Sequence, residues 1–333
     1  MRVLVIGTGF GARVVAPAFD AADGCEVVEV VSPRDDAAVI SAIRRPDVDL
    51  VSVHSPPFMH AAHVGMAVTA GKAVLCDKPF ARDASEGSEM VDEAAAAGVV
   101  ALCNFEFRMH PVRRLLRELV RTDTLGTIEH VQWTHLSAGS RVPLRRYGWL
   151  FDRDRGGGWI GAWGSHAIDT IRWCFGEVTS VDSHPRIDIL HRFDEHENVM
   201  VCTAEDGLSA TLGLETGTTV NIDSTFAASA PVPPRLIVLG AKAVCEILAD
   251  ERVALRHADG SREDITPKPT SARRADRHTE PMRRFAEVVR DVVISGEVPP
   301  GVPTFADGRA CDLVLDQLRA APPIASERST TGR

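Results

Sequence analysis

The sequence predicts two domains: an α/β domain with a parallel sheet, followed by an α+β domain with a large, mainly antiparallel sheet. Up to about residue 104, short apolar runs alternate with helical segments, which is typical of parallel strands covered by helices on both faces. After residue 104, strand-like runs follow one another through short turns such as Asp259-Gly260, as in an antiparallel sheet. The 333 residues are enough for two domains of ordinary size.

The first strand, Arg2 to Ile6, runs into Gly7-Thr8-Gly9-Phe10-Gly11-Ala12, and a helical segment follows. This order matches the dinucleotide fingerprint G-x-G-x-x-G/A. Its first glycine makes a tight turn, its second lets the backbone approach a pyrophosphate, and its last residue packs closely. Pro17 removes a backbone hydrogen bond from the helical segment, so we expect a bend there. The turn residues predicted to bind the cofactor are Gly7, Thr8, Gly9, Phe10 and Gly11.

The second strand, Cys25 to Val31, ends in Ser32-Pro33-Arg34. An NAD-binding protein usually places an acidic residue here for the ribose hydroxyl. Without that carboxylate nothing repels a 2′-phosphate, and Arg34 can give it a charge-assisted hydrogen bond of about 1.5 to 3 kcal/mol. Ser32 and Arg34 therefore predict that NADP(H) is preferred, with NAD(H) as the alternative.

The chain between the second and third strands is short. From Asp35 a single helical segment leads to the strand Leu50 to His54, whereas a doubly wound half normally inserts a further helix and strand. We therefore expect the parallel sheet to lack one edge strand.

Two later strands end in residues that could serve a binding site. Leu50 to His54 is followed by Ser55-Pro56-Pro57, and Ala73 to Cys76 is followed by Asp77 and Lys78. In an open parallel sheet, ligands bind outside the carboxyl ends of the strands. Lys78 is therefore predicted to face the ligand. A solvated lysine at a strand end is the ordinary alternative.

The second half predicts a helix from Pro111, a run of strands, and two late helices at about 280–295 and 305–321. The strand-like runs are Thr127–Leu136, Val178–Val181, Met200–Ala204, Ser209–Leu214, Thr219–Ala228, Arg235–Gly240, Ala243–Leu248 and Val253–Ala258. The predicted divisions are a dinucleotide-binding domain at 1–104, an antiparallel-sheet domain at 105–303, a C-terminal helix packing near the domain junction at 304–321, and a disordered tail at 322–333.

A second candidate site comprises Gly156-Gly157-Gly158 and the helix start from His166 to Asp169. Consecutive glycines let the backbone approach a ligand closely. His166 and Asp169 share a helix face because they are three residues apart. A histidine exchanges protons near neutral pH, and a nearby carboxylate can orient it or bind hydroxyls. The alternative is a histidine that caps the helix start, with Asp169 in a surface pair.

Composition excludes several classes of protein. The formal charge of −9 argues against a nucleic-acid partner, which would require a basic surface. The seven cysteines include no C-x-x-C pair, so neither a disulfide framework nor a zinc site is indicated and no metal is expected. No apolar run approaches the roughly 18 residues of a membrane span, and the N-terminus does not resemble a signal peptide. We expect a cytoplasmic protein.

Several motifs together resemble one family. They are the glycine fingerprint, Ser55-Pro56-Pro57-Phe58-Met59-His60, Gly71-Lys72-Ala73-Val74-Leu75-Cys76-Asp77-Lys78-Pro79, Arg108 with Pro111, and Gly156-Gly157-Gly158 followed by His166-Ala167-Ile168-Asp169. Over about the first 180 residues they resemble the glucose-fructose oxidoreductase, inositol dehydrogenase and MocA family (Gfo/Idh/MocA). The resemblance implies a Rossmann domain, an antiparallel-sheet domain, and nicotinamide-dependent oxidation or reduction at a carbinol carbon of a sugar, polyol or cyclitol.

The resemblance also implies roles for individual residues. Lys78 matches the family lysine that hydrogen-bonds the reacting oxygen, and His166 matches the histidine that shares proton transfer. Arg108 and Asp169 match positions that often touch substrate hydroxyls. Tyr147 and Trp163 are our further candidates for substrate binding, and an aromatic residue of a folded loop is the ordinary alternative for Tyr147 and Trp149. The further cofactor-binding residues are Ser32, Arg34, Ser55, Pro56, Pro57, His60, Asp77, Lys78, Asn104 and Trp149.

Two departures from the family pattern leave alternatives open. Asp77 stands where the family usually has a glutamate, and Ala162 stands where inositol-dehydrogenase-like members carry an aspartate beside the histidine. The second departure puts the two-residue proton relay in doubt. The alternatives to a redox enzyme are a non-catalytic dinucleotide-binding regulator and an NAD-assisted glycosidase. A homodimer or homotetramer is expected to form through the open face of the second sheet.

Overall fold

The computed structural model describes residues 1–268 and 277–325. The helices are α1 (Ala16–Asp20), α2 (Asp36–Ile43), α3 (His60–Thr69), α4 (Ala84–Ala97), α5 (Pro111–Arg121), α6 (Ser165–Phe175), α7 (Thr279–Ser295) and α8 (Phe305–Leu318). The strands are β1 (Arg2–Ile6), β2 (Glu26–Val31), β3 (Leu50–Val53), β4 (Ala73–Cys76), β5 (Ala101–Cys103), β6 (Ile128–Leu136), β7 (Val178–Ile187), β8 (His191–Phe193), β9 (Val199–Val201), β10 (Gly207–Leu214), β11 (Thr219–Thr225), β12 (Arg235–Gly240), β13 (Val244–Leu248), β14 (Arg252–Arg256), β15 (Arg262–Asp264) and β16 (Ile324–Ala325).

The described residues divide into two units. The first comprises 1–110 and the described part of 273–313, and the second comprises the described parts of 111–272 and 314–333. In the part of the chain that the structure describes, no helix is both long enough and apolar enough to cross a membrane.

The first unit contains a five-stranded parallel sheet in the order β2-β1-β3-β4-β5. This is the usual six-strand dinucleotide-binding order without the strand that would lie beyond β2. The sequence predicted this shortened Rossmann sheet, because only α2 connects β2 to β3. The prediction of a parallel sheet is confirmed.

The first helical segment is irregular before Pro17 and not at it. Residues Gly11–Val15 form a π-helical turn, and Pro17 is the second residue of α1. Because Val15 and Ala16 both keep helical geometry, the π-helical turn runs into α1 without a break, and Pro17 lies inside one helical segment. The proline removes a backbone donor from this segment, and the deviation from α-helical geometry lies in the turn directly before it. The bend of the helix axis stays a prediction.

Helix α7 belongs to the first unit, which corrects the predicted boundary at residue 303. Its apolar stripe, including Met282, Phe285 and Val289, is buried in the same core as Val5 and Phe19. An amphipathic helix packs wherever an apolar surface is available. The sequence showed the stripe but not which sheet would cover it.

The second unit contains a nine-stranded sheet in the order β15-β14-β13-β12-β6-β11-β10-β7-β16. It is mainly antiparallel, as predicted, with parallel pairs only at β6–β11 and β7–β16. The strand predicted at Met200–Ala204 is shorter and begins one residue earlier, as β9, and it pairs with β8 in a separate two-stranded ribbon instead of joining the large sheet. The tail predicted from 322 begins with Ile324–Ala325 paired to β7, and 326–333 lie outside the described residues.

Candidate active site

The carboxyl ends of the five parallel strands meet along one edge of the first sheet. Strand pairing places their last residues in one row: Val31, Ile6, Val53, Cys76 and Cys103. The residue after each strand continues this row: Ser32, Gly7, His54, Asp77 and Asn104. Because ligands of open parallel sheets bind at this edge, the register brings together four predicted cofactor-binding residues from distant parts of the sequence, with His54 among them as a residue that was not predicted.

The glycine turn after β1 has the properties that the fingerprint requires. Gly7 has φ +149°, and a Cβ atom there would lie 2.6 Å from the carbonyl oxygen of His54, so only glycine fits. A Cβ atom on Gly9 would meet no atom within 4 Å among the described residues, so open space faces this backbone. Phe10 lies with its ring 6.0 Å from that of His54. The turn can therefore accept a dinucleotide pyrophosphate at Gly9.

The end of β2 carries the two residues predicted to choose the cofactor. Arg34 is exposed, and its backbone amide donates to Ser32 Oγ at 3.3 Å. Asp35, the next residue, caps α2 by accepting from the Ala38 amide at 3.0 Å. The cap fixes the backbone just after Arg34 and leaves its guanidinium in solvent.

Asp77, beside Lys78, is the centre of a buried hydrogen-bond network. His54 Nδ1 lies 3.0 Å from Asp77 Oδ2, and Asp77 Oδ1 accepts from the Lys78 amide at 2.9 Å and from Asn104 Nδ2 at 3.2 Å. Burial alone raises the pKa of Asp77, but the neighbouring His54 and Lys78 together lower it well below its ordinary value. The carboxylate is therefore ionised at neutral pH.

Lys78 and Asn104 flank this carboxylate. The Lys78 side chain is half-buried at the end of β4, as predicted from its position. Asn104 is fully buried, and its Oδ1 has no hydrogen-bond donor among the described residues. A buried amide oxygen without a donor is costly in a folded protein, so this atom is suited to accept a hydrogen bond from a bound ligand.

His60 lies beneath the loops and not in open space. Its Nε2 is 2.8 Å from the Ser55 carbonyl oxygen, and its Nδ1 is 3.1 Å from the Phe80 carbonyl oxygen. The ring is buried, and burial lowers the pKa of His60. His60 thus joins the Ser55-Pro56-Pro57 loop to the loop after Lys78. This geometry gives His60 a role in holding these two loops together, and its contact with a cofactor stays a prediction.

Arg108 is also engaged within the first unit. Its guanidinium lies 2.7 Å from Asp307 Oδ1 and donates to the Gly301 carbonyl oxygen at 3.2 Å. Only 4% of its side chain is exposed. These contacts fix the loop before α8, whereas the prediction gave Arg108 a role in binding substrate.

His166 and Asp169 are both buried on α6 in the second unit. Arg113 lies beside the first turn of this helix, donating to Thr170 Oγ1 at 2.6 Å and approaching the His166 carbonyl oxygen at 3.4 Å. Thr170 Oγ1 in turn donates to the same carbonyl oxygen at 2.8 Å. The backbone that carries His166 is therefore fixed by a buried cation.

Two of the three consecutive glycines, Gly157 and Gly158, serve internal packing, and the approach of this backbone to a ligand stays a prediction. A Cβ atom on Gly157 would lie 2.3 Å from the Trp149 carbonyl oxygen, and one on Gly158 would lie 2.1 Å from Glu205 Oε1. Gly158 also has φ +106°. Glycine is required here because neighbouring protein atoms occupy the space of a side chain.

The predicted aromatic contacts differ in exposure. Trp163 is 6% exposed, with its ring 6.0 Å from the stacked ring of Trp159 and 4.9 Å from that of His135, so it is part of the interior. Tyr147 and Trp149 are half-buried, and Tyr147 packs against a cluster around Phe151. Trp163 therefore packs in the core of the second unit, and its contact with a substrate stays a prediction.

Two residue pairs at this edge of the first unit were not predicted as pairs. One is His54 with Asp77, and the other is Glu106 with His278, whose Nδ1 lies 2.7 Å from Glu106 Oε1. The position of His54 at the end of a buried strand was the available signal in the sequence. Nothing local connected Glu106 to His278.

A parallel sheet of Rossmann type, a glycine turn facing open space and a lysine at the carboxyl edge define a dinucleotide-binding oxidoreductase fold. Family models agree with that class. Residues 1–105 match the oxidoreductase family with an NAD-binding Rossmann fold, and residues 113–246 match the GFO/IDH/MocA C-terminal domain. The chain belongs to the Gfo/Idh/MocA family of oxidoreductases, which confirms the resemblance.

Individual relatives extend the comparison. An uncharacterised oxidoreductase of Synechocystis sp. is 30% identical over 67% of this chain and 66% of its own length. D-glucoside 3-dehydrogenase of Escherichia coli is 29% identical over 68% of this chain and 70% of its own length. A solved structure of levoglucosan dehydrogenase in complex with NADH has a TM-score of 0.82 at 20% identity, covering 96% of this chain and 95% of that one. This last similarity establishes the fold alone.

Proposed function

We propose that the protein is an NAD(P)-dependent oxidoreductase that interconverts a carbinol and a keto carbon of a sugar, polyol or cyclitol. The observation that carries the proposal is the position of Lys78 beside the ionised Asp77, on the same sheet edge as the glycine turn. Relatives named as dehydrogenases of D-glucosides and levoglucosan support the substrate class.

The residues of the first unit fit a bound dinucleotide. Gly9 offers backbone facing open space, and Asn104 Oδ1 lacks a donor among the described residues. When bound, the nicotinamide supplies the hydride acceptor or donor. Lys78 would hydrogen-bond the reacting oxygen, taking the hydroxyl proton during oxidation and returning it during reduction. We assign His166 a share in the same proton transfer, by its match to the family histidine.

We further propose that NADP(H) is preferred over NAD(H). Support comes from the end of β2, where Ser32 replaces the usual carboxylate and the exposed Arg34 follows it. The cap at Asp35 holds the adjacent backbone. Together they offer a hydroxyl and a guanidinium, which suit a 2′-phosphate.

The experiment that tests the function is a spectrophotometric screen at the absorbance band of reduced nicotinamide. Sugars, uronic acids and inositols are offered with each oxidised cofactor, and their keto forms with each reduced cofactor. We expect net, substrate-dependent formation or loss of reduced cofactor. Tight cofactor binding without turnover would instead support the regulator, and glycoside cleavage without net reduced cofactor would support the glycosidase.

We also propose that the protein assembles as a homodimer or homotetramer through the open face of the nine-stranded sheet. That face carries exposed polar side chains, among them Thr219, Asn221 and Asp223 on β11. An interface there would rely on hydrogen bonds and charges more than on apolar burial. Light scattering at micromolar concentration should show a mass at least twice the 36.0 kDa of one chain. A monomer under these conditions would refute the proposal.

A further inference from the structure

We propose that His54 is a positioning residue for Lys78 and acts through Asp77. The inference rests on the proposed function only in taking Lys78 as the catalytic lysine. His54 follows β3 and Asp77 follows β4, and the two strands are neighbours in the sheet. His54 therefore lies at the end of the strand that neighbours the one leading to Lys78.

The hydrogen bonds at this edge converge on the Asp77 carboxylate. An ionised carboxylate can only accept, so His54 Nδ1 must carry a proton and donate it to Asp77 Oδ2 at 3.0 Å. Asp77 Oδ1 accepts from the backbone amide of Lys78 at 2.9 Å. The carboxylate is thus held at one oxygen by His54 and at the other by the lysine's own backbone. A rotation of Asp77 would release the start of the Lys78 loop.

The His54 ring is itself fixed on several sides. Its Nε2 lies 2.7 Å from Ser52 Oγ, and its side chain is fully buried. A Cβ atom on Gly11 would lie 3.0 Å from His54 Cβ, so the glycine turn packs directly against the histidine. The same side chain therefore contacts the cofactor turn and the carboxylate beside Lys78.

Loss of His54 would leave Asp77 Oδ2 with one donor fewer in a buried environment. A buried carboxylate is stable only while donors or cations surround it. The other charged or titratable groups that act on this pair are Lys78 and His60, and Asn104 adds a neutral donor. None of these replaces the His54 contact at Oδ2, so the carboxylate would reorient toward Lys78.

Two isosteric amide substitutions separate the contacts of the ring. In His54→Asn the amide nitrogen falls near the position of Nδ1 and can still donate to Asp77. In His54→Gln the amide nitrogen falls near the position of Nε2, so the hydrogen bond with Ser52 is kept and the hydrogen bond with Asp77 is lost. Val53→Ala is the control for packing, because Val53 is fully buried as the last residue of β3, next to His54 in the chain, and successive side chains of an extended chain point to opposite faces.

The first measurement is kinetic. Because a small misplacement of a catalytic group costs up to about a hundredfold in rate, we expect His54→Gln to lower kcat by about ten- to a hundredfold. The cofactor Kd should stay within about threefold, and His54→Asn should recover most of the rate. Equal kcat in His54→Gln and Val53→Ala would overturn the inference. If His54→Gln weakened cofactor binding by as much as it lowered kcat, the inference would be overturned as well.

The second measurement does not need turnover. The chain has four lysines, at 72, 78, 242 and 268, so 13Cε-lysine labelling gives a spectrum that Lys78→Met assigns. We expect the chemical shift of the Lys78 13Cε signal to change in His54→Gln, to return to the wild-type value in His54→Asn and to stay unchanged in Val53→Ala. The Lys72 signal is the internal reference. An unmoved Lys78 signal overturns the inference. The spectrum tests the His54 inference even if the screen finds no redox activity. A failure of the proposed function is therefore distinguished from a failure of the His54 inference.

Discussion

His278 Nδ1 lies 2.7 Å from Glu106 Oε1, although 172 residues separate the two in the sequence. The His278 ring also stacks on Phe107 with centroids 4.8 Å apart and meets the edge of Phe10 at 5.2 Å. Glu106 is fully buried, so its contact with His278 is made away from water. The glycine turn, through Phe10, therefore packs on a histidine whose partner carboxylate is buried.

This pair predicts a strong energetic coupling. We expect His278→Leu to lower the free energy of unfolding by about 1 to 3 kcal/mol, because a buried acceptor loses a donor. When the protein already carries Glu106→Gln, His278→Leu should lower the free energy of unfolding by less. The difference is a coupling energy of about 0.5 to 3 kcal/mol in a double-mutant cycle. Urea denaturation followed by circular dichroism measures all four proteins. Additive effects would show that the contact contributes no stability.

The catalytic lysine gives the largest expected kinetic effect. Lys78→Met should lower turnover by about two to four powers of ten, the usual contribution of one positioned acid/base group, while the cofactor Kd stays within a few-fold. The matched control is Lys242→Met, since Lys242 is exposed and paired with Asp123 in the other unit. Steady-state kinetics and calorimetric titration of the cofactor provide the two readouts. Wild-type turnover in Lys78→Met would remove the catalytic role.

The end of β2 predicts cofactor preference. We expect Arg34→Ala to weaken NADP(H) binding by about ten- to a hundredfold, which corresponds to one charge-assisted hydrogen bond, and to leave NAD(H) nearly unchanged. Titration of both cofactors into wild type and variant measures the selectivity. Equal or tighter NAD(H) binding by wild type, with no selective loss in the variant, would contradict the reading of Ser32 and Arg34.

The Arg108–Asp307 pair predicts a pH-dependent contribution to stability. Burial raises the pKa of Asp307, but the Arg108 guanidinium and the hydrogen bonds from Thr304 together outweigh burial, so the net pKa is lowered. A carboxyl group with a lowered folded-state pKa stabilises the protein above its unfolded value of about 4, and this stabilisation is lost as the pH falls through the folded value. Arg108→Met should therefore cost about 1.5 to 3 kcal/mol near pH 7 and progressively less below pH 4.

The control for this prediction is Arg121→Met. Arg121 pairs with Glu118 at 3.3 Å, but the two side chains are 70% and 54% exposed, so the loss should be about 0.5 kcal/mol or less. Urea denaturation across the acid range compares both variants with wild type. A cost of Arg108→Met that does not shrink below pH 4 would show that packing, and not the charge pair, supplies it.

The triple glycine predicts a site intolerant of side chains. Gly158→Ala should destabilise the second unit by about 2 kcal/mol or more, because φ is +106° and the new Cβ would overlap Glu205 Oε1. Gly148→Ala is the control, since its φ of −174° suits any residue and no described atom lies within 4 Å of its Cβ position. All five tryptophans lie in the second unit, so their fluorescence reports its unfolding. Equal midpoints for the two variants would refute the packing role.

The sequence by itself determined the features that depend on neighbouring residues. Alternating strands and helices, the glycine turn and Lys78 after a buried strand are local patterns, and strand direction alone places Lys78 and the turn at one edge of a parallel sheet. The short connection through α2 likewise predicted a sheet with one strand fewer. Such features can be predicted from the sequence because they depend on the geometry of a few neighbouring residues.

Only the tertiary structure decided which distant side chains meet. The His54–Asp77 and Glu106–His278 contacts span 23 and 172 residues, and neither residue type requires the other in sequence. The same limit applies to α7, whose apolar stripe fits any sheet face, and to Gly158, whose neighbour Glu205 is 47 residues away by number. The physical reason is that burial and hydrogen bonding are satisfied by whichever partner the packed chain brings within reach.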